Sequence, residues 1–201
     1  MKRVFLLTAL FCMMMVSCKP DGGNGKHEGQ EYVDLGLSVK WATCNVGADN
    51  PSDYGQYFAW GETSPKAEYT EDNCSTYEKQ INDIAGDAQY DAATANWGGD
   101  WRMPTEVEVS ELLNNCTWTW TTQNDVNGYN VVGTNGNSIF LPAAGDRYGS
   151  LLDHAGSYGN YWSSTPGESI SSAYDLHFGS DKCRMNDFNR SYGQSVRPVL
   201  K

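Results

Sequence analysis

The cysteine at position 18 carries the most specific chemical signature of the chain. Positive charges at residues 2–3 precede an apolar run over residues 4–16, and Ser17 stands directly before Cys18. This order of charged, apolar and small residues is typical of a secretory signal peptide, and the run is too short to span a bilayer. The four residues that end at Cys18 have the form of a bacterial lipobox. We therefore expect residues 1–17 to be removed and the Cys18 thiol to carry lipid.

Four further cysteines are available for disulfide chemistry: Cys44, Cys74, Cys116 and Cys183. They allow three complete pairings, which the sequence does not distinguish. A secreted domain permits disulfides. Cys44 and Cys116, however, follow apolar residues and also fit free thiols buried as small hydrophobic side chains. Both alternatives stay open.

Motifs of metal, nucleotide and hydrolase chemistry are absent. The sequence has no G-x-S-x-G, H-E-x-x-H, C-x-x-C or phosphate-binding glycine loop. Its three histidines, His27, His154 and His177, are far apart, which argues against a transition-metal site. The acidic segments 49–53 and 68–72 offer oxygen ligands for calcium but no twelve-residue calcium loop. We expect no cofactor and no catalytic residues, and calcium binding stays open.

The charge of the chain excludes one class of partner. Without residues 1–17 the sequence has 12 Lys and Arg against 25 Asp and Glu, a net charge of −13. Nucleic-acid binding needs a basic surface, and so does electrostatic binding to a membrane. We therefore expect no nucleic-acid partner and a membrane contact only through the lipid. The many Trp, Tyr and Gly residues favour strands and turns over helices.

The expected lipid is followed by a tether and one domain. Residues 18–30 are polar and glycine-rich, which predicts a flexible tether, and the domain is expected to span residues 31–201. Apolar side chains alternate with others over residues 33–41, so we predict a half-buried strand there, with Trp41 in the core. Residues 56–60 are a further candidate strand inside long loops.

A helix is predicted directly after Thr105, which forms a capping box with Glu108. Its apolar face follows from the spacing of Val109, Leu112, Leu113 and Cys116. A solvated face is expected for the glutamates of its first two turns, Glu106, Glu108 and Glu111.

The rest of the chain has the patterns of strands. Alternating or apolar segments predict strands at residues 118–120, 129–132, 138–141, 161–164, 173–178 and 195–200. Asn135-Gly136 predicts the turn of a hairpin between the second and third of these. The expected fold class is α+β, mostly short antiparallel strands and long loops with one or two helices.

An ordered series of motifs resembles a known family. The segments are YVDLGLSVKWATCNVG (32–47), YFAWGE (57–62), NWGGDWRMPT (96–105), IFLPAAG (139–145), YWSS (161–164) and RSYGQSVRPV (190–199). Together they resemble a paralogous set of lipoproteins from gut Bacteroidales, which is similar to the Fibrobacter succinogenes major paralogous domain. That set is related to the formylglycine-generating-enzyme branch of the C-type lectin fold. The resemblance implies a C-type-lectin-like domain over residues 31–201.

The resemblance does not extend to the residues that carry the copper and calcium chemistry of that branch. Sulfatase-activating members use a copper-binding cysteine pair, and no matching pair is found here. Calcium lectins carry Glu-Pro-Asn or Gln-Pro-Asp and then Trp-Asn-Asp, none of which occurs in this sequence. Some members of the branch are variable proteins of diversity-generating retroelements. The region 160–197 has the composition of such a variable region, although ordinary divergence between paralogues would look similar.

The C-terminal region holds the predicted ligand-binding residues. They are Asp175, His177, Asp181, Arg184, Asn186, Asp187, Asn189 and Ser191. Alternation with Tyr174, Leu176 and Phe178 predicts that Asp175 and His177 point outward from a strand. The segment 179–191 is predicted to be a turn-rich loop that presents the other polar groups beside them.

These observations favour a surface-exposed lipoprotein that binds an external protein or glycan without catalysis, as an adhesion module. Lys19 after the expected lipid favours the outer membrane over the inner one. Two alternatives stay open. One is an oxidase of the formylglycine-generating type, and the other is a structural component of the envelope or of a surface appendage.

Overall fold

The computed structural model describes residues 24–201, which contain twelve short strands and two helices. The helices are α1 (Ala92–Trp97) and α2 (Glu106–Asn115). The strands are β1 (Asn24–His27), β2 (Gln30–Val33), β3 (Lys40–Ala42), β4 (Thr117–Gln123), β5 (Val126–Val132), β6 (Ser138–Pro142), β7 (Asp146–Tyr148), β8 (Leu151–Asp153), β9 (Gly159–Pro166), β10 (Ser172–Gly179), β11 (Lys182–Asn189) and β12 (Val199–Leu200). This is an α+β arrangement of small antiparallel sheets with few helices, as predicted.

The strands form four sheets. The orders are β1-β2-β3-β12, β4-β5-β6, β11-β10-β9 and the two-stranded β7-β8. In the first sheet β12 pairs with β3 through Val199 and Trp41, so the two ends of the described chain meet. The other three sheets are built from neighbouring segments joined by short turns, which is the usual outcome for antiparallel strands.

Apolar side chains cover both faces of the β9–β11 sheet. On one face, Leu176 and Phe178 pack with Leu112 of α2 in the largest core cluster. On the other face, Trp162 and Ala173 belong to a second cluster. Because this sheet lies between two cores, Ala173 and Asp175 on one face of its central strand β10 are buried, as are Leu176 and Phe178 on the other.

Helix α2 begins as predicted. Thr105 accepts a hydrogen bond from the Glu108 backbone, and Glu108 accepts one from the backbone of Thr105. The solvated face, however, is wrong for Glu108, whose side chain is only 13% exposed and pairs with Arg102 at 2.5 Å. Glu111 stays partly exposed and accepts hydrogen bonds from the Ser38 backbone at 3.1 Å. Burial opposes ionisation of Glu108, but the Arg102 and Thr105 hydrogen bonds outweigh it and lower its pKa.

The prediction for residues 33–41 is correct about which side chains are buried. It is wrong about the backbone, which does not form one continuous strand. Val33, Val39 and Trp41 are buried, Trp41 with only 1% of its surface exposed. Between β2 and β3, however, the chain leaves the sheet. The Asp34 side chain accepts a hydrogen bond from the Gly36 backbone at 2.8 Å, and Gly36 has a φ of 75°. A turn that needs left-handed glycine interrupts the strand.

The N-terminal boundary of the domain differs from the prediction. Strand β1 and the first residue of β2 lie within residues 18–30, which were expected to be a tether. The Trp101 indole donates to the His27 carbonyl at 3.0 Å and so fixes β1 to the domain. The signal peptide and Cys18 lie outside the described residues. Within residues 24–201 no helix has the length and apolarity needed to cross a membrane.

Several strand predictions need correction. The hairpin at Asn135-Gly136 is present between β5 and β6. Residues 56–60 form no strand and contribute only a bridge between Phe58 and Gln194. The last predicted strand is reduced to β12. Residues 182–189, expected in a loop, form the full-length strand β11.

Candidate functional site

A cleft of about 590 Å³ opens beside the turn between β10 and β11. The β7–β8 hairpin, the loop after it and the β9–β11 sheet form its walls. The lining residues are Asp146, Tyr148, Asp153, His154, Tyr158, Asn160, His177, Gly179, Asp181, Lys182, Arg184, Phe188 and Tyr192. Another cleft, of about 490 Å³, lies between residues 61–66 and 73–90. Its charged groups are Glu62, Lys66 and Lys79, of which Lys66 and Glu62 pair with each other at 2.8 Å, and none of the predicted binding residues lines it.

Three strands place the central polar side chains of the cleft on one face of the sheet. His177 of β10 is directly opposite Asn160 of β9 and Arg184 of β11. Directly paired residues of antiparallel strands project to the same side. His177 therefore stands between a neutral amide and a guanidinium group.

Hydrogen bonds link this row to the neighbouring hairpin. His177 Nδ1 lies 2.7 Å from Asn160 Oδ1. The other end of the same amide, Asn160 Nδ2, lies 3.4 Å from Asp146 Oδ1. The same carboxylate oxygen lies 3.1 Å from His154 Nδ1. Asp146 thus connects the two histidines of the cleft, one directly and one through Asn160.

Aromatic rings form the remaining walls. Tyr158 stacks on His177 with centroids 5.5 Å apart and meets His154 edge-on at 5.4 Å. Tyr148 stacks on Tyr192 at 4.9 Å, and Phe188 meets Tyr192 edge-on at 4.8 Å. Tyr148 is 51% exposed and Tyr158 is 41% exposed. Both rings therefore offer apolar surface to a ligand.

The charges of the cleft are only partly neutralised. Burial raises the pKa of Asp146, and the His154 hydrogen bond opposes that rise. Burial and then the nearby Arg184 lower the pKa of His177. Within residues 24–201, neither Lys182 nor Arg184 has a carboxylate at ion-pair distance. Their positive charges are available to a ligand.

The structure brings three of the predicted binding residues into this cleft. They are His177, Asp181 and Arg184. Asn186 is half-buried on the same face of β11, opposite Asp175.

Asp187 and Asn189 project from the other face of β11. Asn189 donates to Glu71 at 2.8 Å, and Asp187 accepts from the Glu168 backbone at 3.2 Å. These two residues are outside the cleft, and their side chains are engaged in the fold.

Two predicted binding residues are buried. Asp175 and Ser191 have no exposed surface. The expectation that Asp175 points outward is wrong, because the face of β10 opposite Leu176 is covered by the second core cluster. The eight residues therefore do not form one binding face. They divide between the cleft, the opposite face of β11 and the interior.

Asp175 is nevertheless unusual. Neither carboxylate oxygen has a hydrogen-bond partner in the described part of the chain, and both amide atoms of Gln194 also lack one. Burial raises the pKa of Asp175 to about 7, although Asn186 and Gln194 lie near enough to lower it somewhat. A carboxyl group in such surroundings favours its neutral, protonated form.

Sequence reasoning missed the residues that face β10 across the cleft. Asp146 and Tyr148 belong to β7, which is too short to show a period, and Tyr158 follows a loop. His154 has a φ of 61°, which is uncommon for a residue other than glycine. No pattern in the sequence indicated that these segments lie beside His177.

The cysteines and potential metal ligands are dispersed. Within residues 24–201, Cys44, Cys74, Cys116 and Cys183 are free thiols that form no disulfide with one another. Residues 24–201 contain no group of three or more His, Cys, Asp or Glu side chains placed to hold a metal ion.

The cleft is thus a polar and aromatic depression whose central histidine contacts Asn160, which in turn contacts Asp146. Its arrangement suits binding through hydrogen bonds and ring stacking. Comparisons of the chain with family models, with curated proteins and with solved structures found no match.

Proposed function

We propose that the protein is a non-enzymatic binding module that holds an external ligand in the cleft beside the β10–β11 turn. The cleft itself carries this proposal. It combines exposed tyrosine rings with the acceptor Asp146 and with Lys182 and Arg184, two cations that have no ion pair within residues 24–201. Concave sites with aromatic walls and a few fixed polar groups are the usual form of ligand sites.

The surroundings of the cleft favour binding with little loss of conformational freedom. Asn160, His177 and Arg184 stand on three paired strands, so their backbones are fixed before a ligand arrives. Tyrosine rings supply large contact areas and have few rotatable bonds. Less entropy is therefore lost on binding than with a flexible loop.

The resemblance to the C-type-lectin-like domain is part of the proposal. The six largest fully buried side chains are Trp41, Trp60, Trp101, Trp162, Arg190 and Arg197. Each belongs to one of the motif segments that carry the resemblance. The pairing of β3 with β12, which joins the two ends of the domain, also involves two of these segments. The motifs therefore contribute the core, which supports an inherited fold.

We further propose that the domain stands on the cell surface, anchored through a lipid on Cys18. The described part of strand β1 starts at Asn24, so at most five residues separate the expected lipid from the domain. Five extended residues span at most about 18 Å. The domain would then lie close to the outer membrane, and its cleft would meet ligands from the surroundings.

A binding screen tests this function. Purified protein is applied to arrays of surface glycans and, separately, to extracted surface proteins, and each positive is repeated with Arg184→Ala and Tyr158→Ala. We expect both variants to lose at least about tenfold in affinity, since buried aromatic and Arg anchors carry most binding energy. Lys26→Ala is the matched control, because Lys26 is an exposed cation of the β1–β2 hairpin outside the cleft.

Two outcomes would contradict the proposal. Ligands that bind all variants equally would use another surface. Copper-dependent oxidation of a sulfatase-derived cysteine peptide by the purified protein would favour the oxidase alternative.

A further inference from the structure

The Asn160 side chain determines which nitrogen of His177 carries a proton. Asp146 holds the amino end of the Asn160 amide, because a carboxylate accepts hydrogen bonds and an NH₂ group donates them. The oxygen end is thereby directed to His177 Nδ1, at 2.7 Å. An amide oxygen only accepts hydrogen bonds, so Nδ1 must be the donor. The neutral imidazole then has its proton on Nδ1 and a free lone pair on Nε2.

The free nitrogen is accessible from the cleft. Within residues 24–201, His177 Nε2 has no hydrogen-bond partner, and it is not among the enclosed polar atoms that lack one. Tyr158 stacks on the imidazole ring, which holds the ring plane in place. The acceptor therefore has a fixed direction, set by Asn160 on one side and by the stacked ring on the other.

A donor group stands next to this acceptor. Arg184 is directly opposite His177 on β11, and such pairs have Cβ atoms about 5 Å apart. The guanidinium group donates hydrogen bonds and cannot accept them. The floor of the cleft thus presents one acceptor and several donors side by side, which is a pattern that a ligand must complement.

We infer that His177 Nε2 selects ligands that place a hydroxyl group on it, with a neighbouring oxygen of the ligand accepting from Arg184. This inference rests on the proposed binding function of the cleft and names the chemistry that the cleft recognises. A sugar or the side chain of a tyrosine or serine can supply the hydroxyl. An ether of the same shape cannot, because it has no proton to donate.

The selection depends on pH. Protonation of Nε2 would turn the acceptor into a donor and place a second positive charge beside Arg184. The titratable and charged groups that line the cleft with His177 are Asp146 and Tyr148 of β7, Asp153 of β8, His154 and Tyr158 of the loop after β8, Asp181 of the turn, Lys182 and Arg184 of β11, and Tyr192. Burial and Arg184 favour the neutral imidazole, while Asp146 opposes them. We expect the preference for a hydroxyl over an ether to hold above the titration of His177 and to disappear below it, because a protonated Nε2 donates equally to either oxygen.

Nuclear magnetic resonance of the full chain, labelled with ¹⁵N, tests the protonation pattern without any ligand. We expect the ring correlations of His177 to show a proton on Nδ1 and a bare Nε2. Asn160→Ala should shift the signals toward the Nε2–H form, which solvated histidine side chains favour. His27→Gln is the control and should leave them unchanged, since His27 lies in β1 and contacts Asp100. A proton on Nε2 in the unsubstituted protein would overturn the inference, whatever the binding screen shows.

Small probes test the selection. N-acetyltyrosinamide and methyl glucoside represent protein and glycan sources of the hydroxyl, and their O-methylated forms are the matched non-donors. We expect at least one hydroxyl probe to shift the Nε2 signal and its methylated form to bind about tenfold more weakly, as loss of one buried hydrogen bond implies. Equal shifts with the methylated forms, or no shift with either hydroxyl probe, would overturn the inference.

Discussion

Replacing Asp175 by Asn should stabilise the protein at neutral and alkaline pH. The Asp175 carboxyl has no exposed surface, and neither oxygen has a hydrogen-bond partner in the described residues. Ionising it there leaves a charge in a site that offers it little solvation. The Asn side chain has almost the same shape and stays neutral. Its side-chain oxygen can still accept a hydrogen bond from the Gln194 amino group, which lies near enough to lower the pKa of Asp175.

The magnitude follows from the pKa. Burial raises the pKa of Asp175 from 3.8 to about 7. Each pKa unit corresponds to about 1.4 kcal/mol, so the full effect is about 4 kcal/mol. Between these two values the folded protein keeps a proton that the unfolded chain has lost. The free energy of unfolding therefore falls as pH rises from about 4 to 7, and the loss is complete above pH 7.

Urea unfolding at pH 4, 6 and 8, followed by tryptophan fluorescence, measures this effect. Asp175→Asn should differ little from the unsubstituted protein at pH 4 and should gain up to about 4 kcal/mol at pH 8. Only the difference between the two proteins is used, because burial also raises the pKa of Asp91 and Asp146. Asp181→Asn, an exposed carboxylate at the neighbouring turn, is the control. A difference that is independent of pH, or a loss at pH 8, would refute the reasoning.

Three further predictions concern the core, helix α2 and the N-terminus. Trp41→Ala should cost about 3–5 kcal/mol of unfolding free energy, as other large-to-small core changes do. Trp41→Phe should cost much less, because the buried Trp41 indole N–H has no hydrogen-bond partner among residues 24–201. A loss below about 1 kcal/mol for Trp41→Ala would contradict its place in the core. Thr105→Ala should cost about 1 kcal/mol through the lost helix cap, and an unchanged urea midpoint would argue against the cap. Mass spectrometry of the mature protein should find an acylated Cys18 as its first residue, and an intact Met1 would contradict this.

Short sequence patterns correctly predicted the elements that are stabilised by contacts between residues close together in the chain. The capping box at Thr105 and the Asn135-Gly136 turn both satisfy backbone groups within a few residues. They form wherever the surrounding chain permits, so sequence alone located them. The burial of Trp41 was also predictable, since alternating apolar side chains share one face of a strand and that face packs on the core. Alternation did not reveal that the chain turns at Gly36, where a single side-chain hydrogen bond ends the strand.

The errors at the candidate site have a tertiary origin. Strand β11 was missed because its polar composition looked like a loop, although Cys183 and Met185 alternate with Arg184 and pack on the core. The outward direction of Asp175 was inferred from one apolar face of β10. An alternation with a period of two shows that the two faces of a strand differ in composition. It does not show that one of these faces is exposed to solvent. The second core cluster, built from distant segments, covers the other face.

The motif segments that carry the resemblance build the core and contain almost none of the cleft residues, so the resemblance does not indicate a ligand. Of the residues that line the cleft, only Tyr192 lies within a motif segment; the others lie between those segments. The motifs supply buried groups such as Trp60 and Arg190, which stack at 4.2 Å and hold loops together. Such side chains are restricted by packing, whereas the residues of the proposed binding cleft would be restricted by what they bind. Under that proposal a chain could keep this core and change its ligand, so the ligand has to be inferred from atoms such as His177 Nε2.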